Sequence, residues 1–494
     1  MTAPEPRALS PARKLVFGLV TAGLVLAGLN AVVELGERAG HIDTQSATGT
    51  TVVLEEAIFA ADGASLVTTP YAEQTMVRSR IATDKGSRTR VFVTGGSFAQ
   101  GAPYTYPNQP DEGFGGISSW LRQAFAGQDV EFVNVASGGQ ASPRVEAIVE
   151  ELVTLDADAV VVATCNNEGS VQPGQMLQVL HEFGVYRLLS SALQPNGSGG
   201  APMWASPSSD EAVEHNTAYE RNLRLMATKS AAAGVPLFLA TVPIQLRHGG
   251  HEAGPARTWI PRTWSGEDQV DACIAKGRAE FEAEDYRAAA MTLAGCGAHP
   301  AARETLEAAY MALWRQGLSA TDGELSPGAC VADLVASFRQ HDYDAVIARA
   351  PTCEDGPIDA IFWSGLALAE LDRLPEAVAA LEQAVELRPQ GRCRPSLNAI
   401  ARAVAADFPH VTLVDLDAEA RTLAPRGIPG PEMFAGNCHL RWSGYVRMAQ
   451  VIGEALSGEG VLAPPSPMSS DAINAVAENH GLSRDPWTDD VLRR

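Results

Sequence analysis

The spacing of apolar and polar positions changes several times along the chain, and those changes divide it. Between Thr89 and Thr241, short apolar runs alternate with stretches whose apolar positions recur at helical spacing. Thr89 to Thr94, Val130 to Val135, Ala159 to Thr164 and Pro236 to Thr241 read as buried strands, and a fifth lies downstream at Val411 to Asp415. Helices are expected at Gly116 to Ala126, Ser142 to Thr154 and Glu211 to Ala233. Alternating units of this kind imply an α/β fold, a parallel sheet covered on both faces. Residues 35–88 are mixed and polar and read as a connector with one short strand around Thr51 to Leu54. Gln194 to Ser209, rich in Pro, Gly and Ser, reads as a mobile loop. Residues 458–494 read as an exposed tail with one short helix near Asp471 to Glu478.

A repeat lies between the fourth and fifth strands. Asp271 to Ala288 aligns without a gap on Gly328 to Ala345, so that Cys273, Phe281, Asp285 and Tyr286 recur as Cys330, Phe338, Asp342 and Tyr343, and Cys296 recurs as Cys353. Apolar positions within each copy follow helical spacing, and the Asp-Tyr pair marks a turn, so each copy is expected to be a helical hairpin. A disulfide from Cys273 to Cys296 and another from Cys330 to Cys353 would each clip one hairpin. Ile361 to Pro389 looks like a tetratricopeptide repeat, with small residues at Gly365, Ala369 and Ala377. Residues 267–389 are therefore read as a TPR-like helical insertion, a surface suited to a protein partner, that divides the α/β domain into 89–266 and 390–457.

Length and charge then narrow the classes. With 494 residues the chain exceeds one ordinary domain, and its 37 basic against 59 acidic residues argue against a nucleic-acid partner. Leu15 to Val33 is apolar and uncharged and follows Arg7, Arg13 and Lys14. Residues 15–34 read as a transmembrane anchor with residues 1–14 cytoplasmic, which would place the globular part outside the cytoplasm, in a periplasm or its equivalent. A cleavable signal peptide is the competing reading, although its apolar region is usually shorter, about 7 to 15 residues. An extracytoplasmic location agrees with the expected disulfides. None of the seven cysteines falls in a C-x-x-C pair, so zinc-ribbon spacing is absent and no metal or cofactor is implied.

Candidate chemistry gathers at the C-terminal ends of the expected strands, where open α/β sheets carry their sites. Val91 to Gly101 breaks at Gly95-Gly96 and presents Ser97. Asn134 to Gln140 follows the second strand, Cys165-Asn-Asn-Glu168 the third, and His439 stands in Phe434 to Tyr445 after the fifth. Acyl transfer by a serine needs an accessible hydroxyl, a base to take its proton and donors for the oxyanion. His439 can be the base; the Asn167 amide and the N–H groups of Gly139 and Ser97 can be the donors. Each has a plainer reading as a turn, a packed histidine or a closed loop.

Together these stretches resemble the SGNH (GDSL-type) hydrolases, in particular a membrane-anchored, extracytoplasmic branch that carries inserted tetratricopeptide repeats. Gly95-Gly-Ser97, Asn134 to Gly139, Asn166-Asn-Glu168 and His439 to Tyr445 match four of the family's blocks in order. The resemblance implies a flavodoxin-like sheet, Ser97 as nucleophile, His439 as general base, and an oxyanion hole of Ser97, Gly139 and Asn167. It implies an acyl ester substrate on a glycan or lipid, hydrolysed or passed to an acceptor alcohol. Two positions depart from the pattern. Gly96 replaces the aspartate of the first block, and Gly436 stands where the family has the aspartate that orients the histidine. A backbone carbonyl could orient His439, a displaced carboxylate such as Glu432 or Glu168 could serve, or the site could have decayed. A non-catalytic envelope scaffold that binds partners through its repeats is the alternative function. With four cysteines assigned to the repeats, Cys393 is expected to pair with Cys438, and Cys165 to be a packed thiol.

Overall fold

The computed structural model describes residues 57–105, 107, 115–169, 207–248, 272–295, 305, 309, 329–354, 356–430, 432–466 and 469–479. The expected anchor, the strand at Thr51 to Leu54 and the Cys273–Cys296 pair lie outside the described residues or depend on one that does. So does nearly all of the stretch from Gln194 to Ser209. Among the described residues no helix is long and apolar enough to cross a membrane.

The expected connector is more than a linker. Its described part forms an antiparallel sheet of β1 (Phe59–Asp62), β2 (Ser65–Thr68) and β3 (Arg80–Ala82), with a single 3₁₀ turn at Ala72–Gln74 between the last two. These strands are three or four residues long and fully bury one residue each, so they carry no alternation long enough to read. Long-range contacts hold them: the Glu151 carboxylate accepts the N–H groups of Ile58 and Phe59 at 2.8 and 3.0 Å, and Arg90 donates to the Ala82 carbonyl at 2.6 Å.

The main sheet contains β4 (Thr89–Gly95), β5 (Val130–Asn134), β6 (Ala159–Ala163), β7 (Leu237–Ala240) and β8 (Val411–Val414), all parallel, in the spatial order β5-β4-β6-β7-β8. No end lies more than one residue from its expected place. The central strand β6, Ala-Val-Val-Val-Ala, is wholly buried, as a strand covered on both faces must be. The chain leaves β4 for one side of the sheet and returns to the other, so the order reverses around β4, where doubly wound sheets bind ligands. The registers Val93 to Asn134, Gly95 to Ala163 and Ala163 to Ala240 bring the strand ends to one edge.

Helices α1 (Ser97–Gln100), α2 (Ile117–Ala124), α3 (Ser142–Leu152) and α4 (Ser209–Ala233) follow β4, β5 and β6 in the chain. Helix α4, the longest among the described residues, starts at a capping box between Ser208 and Glu211 and stops at left-handed Gly234.

Between β7 and β8 the two repeat copies fold alike. One is α5 (Ala272–Glu282) with α6 (Tyr286–Gly295), the other α7 (Ala329–Arg339) with α8 (Tyr343–Arg349). In both, the turn uses a residue of positive φ, Glu284 or His341, and the aspartate then caps the second helix, Asp285 accepting from Ala288 N and Asp342 from Ala345 N. The ring centroids of Phe281 and Tyr286, and of Phe338 and Tyr343, both lie 5.2 Å apart. The disulfide Cys330–Cys353 closes the second hairpin. Helices α9 (Pro357–Glu370) and α10 (Leu374–Leu387) form the third pair.

A strap from Arg388 to Arg394 returns the chain to the sheet, followed by α11 (Pro395–Asp407), β8, α12 (Leu416–Leu423), α13 (Trp442–Gly458) and α14 (Ser470–Asn479). Here the cysteine expectation fails. Cys393 pairs with Cys165, 228 residues away, and Cys438 is a buried free thiol. The strap crosses the end of β6, and Cys165, the second residue beyond that strand, meets it there. Cys165 is thus a cross-link rather than a packed thiol.

Candidate active site

Ser97 owes its position to two glycines. At Gly95 the backbone takes φ +144°, and a Cβ there would lie 1.9 Å from the Ala163 carbonyl oxygen of the neighbouring strand, so only glycine can end β4 in this way. Gly96 is extended and precedes the first residue of α1; a Cβ on it would meet Nδ2 of Asn167 at 2.9 Å. The absent side chain at position 96 is what lets Asn167 approach the turn. Ser97 follows, partly exposed, as the first residue of α1.

His439 comes from a loop closed on itself. Phe434 and Leu440 form an isolated antiparallel bridge, Ala435 N donates to the His439 carbonyl at 2.8 Å, and Arg441 N donates to the Met433 carbonyl at 2.9 Å. Helix α13 then begins, and its Tyr445 hydroxyl donates to the Ala102 carbonyl at 2.7 Å, fixing this loop against the segment after α1. The result brings residues 342 positions apart together: His439 Nε2 lies 2.9 Å from Ser97 Oγ. His439 is only 9% exposed, so this contact is largely screened from water.

The expected donors flank this pair. Beyond β5 the chain continues the ladder beside β4, Val135 N donating to Val93 O at 2.9 Å and Ser137 N to Gly95 O at 2.8 Å, which carries Gly139 to the same edge as Ser97. Gly139 is exposed. Asn167, buried in the turn after β6, donates through Nδ2 to the Gln140 carbonyl at 3.0 Å. The second and third strand-end loops are therefore locked to each other.

Glu168 and Glu432, the two carboxylates considered for orienting His439, are both engaged elsewhere. Both oxygens of Glu168 are taken by Ser142, from its N–H at 2.6 Å and its hydroxyl at 2.9 Å, at the start of α3. Glu432 is held by Arg247. Each sits beside a stronger donor than a neutral imidazole, a helix N-terminus or a guanidinium. Although Glu168 is half-buried as a residue, its carboxyl is enclosed; desolvation raises its pKa to about 7, offset only in part by the Ser142 bonds and the Arg394 charge.

Sequence reasoning missed several supports. Asn222 Nδ2 donates to Ser142 Oγ at 2.9 Å, Tyr219 donates to the Thr164 carbonyl at 2.6 Å, and Asn398 clamps Val242 through both its amide atoms at 2.8 and 2.9 Å. Polar residues at helical core positions were the available signal, and it says nothing about partner. Among the described residues no cluster of three or more His, Cys, Asp or Glu side chains could hold a metal ion. No family model, curated protein or solved structure matches the chain.

Proposed function

We propose that this protein is a serine esterase or O-acyltransferase of the SGNH type, working through an acyl-enzyme on Ser97. The observation that carries this reading is the 2.9 Å contact between Ser97 Oγ and His439 Nε2 at the reversal point of a parallel sheet. The strand order, 2-1-3-4-5 in chain sequence, is the flavodoxin-like order that the resemblance calls for.

In the proposed reaction His439 Nε2 accepts the Ser97 proton as Oγ attacks the ester carbonyl. The N–H groups of Ser97 and Gly139 and the Asn167 amide take the charge that develops on the carbonyl oxygen. His439 returns the proton to the departing alcohol, and water or an acceptor alcohol then resolves the acyl-enzyme. Glu168 and Glu432 are engaged elsewhere, and neither takes part in this proton transfer. The substrate is an acyl ester on an envelope or exported glycan or lipid, the chain is anchored in the cell membrane through residues 15–34, and its repeats offer a surface to a protein partner.

A fluorophosphonate probe and a short-chain aryl ester test the reading. Wild type should be labelled and should turn over the ester, and Ser97→Ala should abolish labelling and lower turnover by about three orders of magnitude or more. Wild type inert to both reagents would rule out the enzyme and leave the scaffold.

A further inference from the structure

The catalytic reading leaves one polar cluster unused, and it joins the N-terminal sheet to the loop carrying Gly139. The carbonyl of Thr75, which follows the 3₁₀ turn between β2 and β3, accepts two bonds of 2.8 Å, from Gly138 N and from Nε2 of Gln100. Its hydroxyl oxygen accepts from Ser137 Oγ at 2.7 Å. Gln100 is the last residue of α1, three positions after Ser97, and is 2% exposed. Its Nε2 also reaches the Ala136 carbonyl at 3.3 Å, while its own backbone carbonyl accepts from Asn134 Nδ2 at 3.0 Å. The Asn134 Oδ1 in turn accepts from Ala136 N at 3.2 Å. Every residue from Asn134 to Gly138 except Val135, which pairs with β4, is thus bonded to Thr75, Gln100 or a group they hold, or to Gly95.

We propose that Thr75 and Gln100 are positioning residues that set the Gly139 N–H relative to Ser97, so that the N-terminal sheet forms part of the catalytic framework. This rests on the reading of Ser97 and Gly139 given above. The physical reason is rigidity. Gly138-Gly139 has no side chains with which to fix itself, and an oxyanion donor is useful only when held in place before the charge appears. Gln100, the last residue of α1, and Thr75 form the bridge from that helix to Gly138. A buried amide and a half-buried carbonyl that would otherwise lose these partners make that bridge costly to break.

The test uses the full chain and the variants Thr75→Val, Thr75→Ser and Gln100→Leu. Thr75→Val keeps the shape but loses the hydroxyl, Thr75→Ser restores it, and Gln100→Leu removes the amide. The Thr75→Val and Gln100→Leu proteins should lose about 10- to 100-fold in kcat with KM within about twofold, the scale of a misplaced catalytic group, and Thr75→Ser should retain most of the wild-type rate. Amide hydrogen exchange gives a readout independent of activity: amides at 136–141 should exchange faster in Thr75→Val and Gln100→Leu than in wild type, with those of β6 unchanged. Unchanged exchange at 136–141 in both variants, or kcat loss only in proportion to unfolded protein, overturns the proposal. An unlabelled wild type overturns the esterase reading alone, since the exchange measurement still decides whether the clamp exists. If Gln100→Leu does not fold, Gln100→Met, which also removes the amide donor to the Thr75 carbonyl but fills its space, decides.

Discussion

The sheet edge and the inserted repeats are held together in opposite ways. In the repeats, contacts are short-range: an aspartate caps the helix it precedes, rings five residues apart touch at 5.2 Å, and the Cys330–Cys353 disulfide spans 23 residues. At the sheet edge, contacts join distant segments: Ser97 with His439 across 342 residues, Cys165 with Cys393 across 228, and Thr75 with Gln100 and Gly138. The difference teaches where each kind of residue change should be felt. A module of local contacts loses stability within itself, whereas the edge loses alignment between loops, on which the proposed acyl transfer depends. The strap from Arg388 to Arg394 is where the two meet. Arg388 forms a bidentate pair with Asp359 on α9, Arg392 donates to the Gln245 carbonyl at 2.9 Å, and Asn437 of the His439 loop donates to the Gln390 carbonyl.

The sharpest way to break this comparison is to remove the disulfides one at a time. Replacing Cys165 and Cys393 together by serine should cost about 2 to 5 kcal/mol and lower kcat as well, because the bond lies two residues from Asn167. The matching change at Cys330 and Cys353 should cost stability on the same scale or less and leave the kinetic constants of the folded protein unchanged. Denaturant unfolding with parallel ester assays separates the two, and equal effects on kcat would remove the distinction between edge and module.

A smaller effect is expected from pH. The Glu168 carboxyl has its pKa raised from an ordinary 4.5 to about 7 by burial. Between those values the folded state keeps a proton that the unfolded state has released. This group's contribution is therefore complete below about pH 4.5, declines as pH rises through the interval and is lost above about 7. Melting temperatures from pH 4.5 to 8 should show that decline in wild type and a flatter profile in Glu168→Gln; identical profiles would show that the carboxyl does not titrate in this window. The smallest effect should come from the repeats, where Asp342→Ala removes one helix cap at about 1 kcal/mol, visible in unfolding curves and absent from ester turnover.

Much of the architecture was legible because it is periodic. Five strand positions follow from short apolar runs between turn residues, and the repeat and its Asp-Tyr turns from helical spacing and from residue types at element ends. The candidates Ser97, Gly139 and Asn167 stood out for a related reason: each lies in a turn that follows a strand of the sheet, a local feature with a fixed place in an open sheet, whereas His439 lies well beyond β8 and meets Ser97 only through the fold. The N-terminal sheet escaped because its strands are three or four residues long and its stabilising partners, Glu151 and Arg90, lie elsewhere in the chain.

What the chain determined by itself was thus the set of elements and the residues that cap, turn or end them, since those depend on neighbours a few positions away. Tertiary structure alone decided the partners. It gave Cys393 to Cys165 and left Cys438 free, set Glu168 on Ser142 and Glu432 on Arg247, and placed Thr75 beneath the Gly139 loop. Each of these is a competition for proximity among groups that the sequence holds far apart, and the order of strands in the sheet, not the order of residues in the chain, settles it.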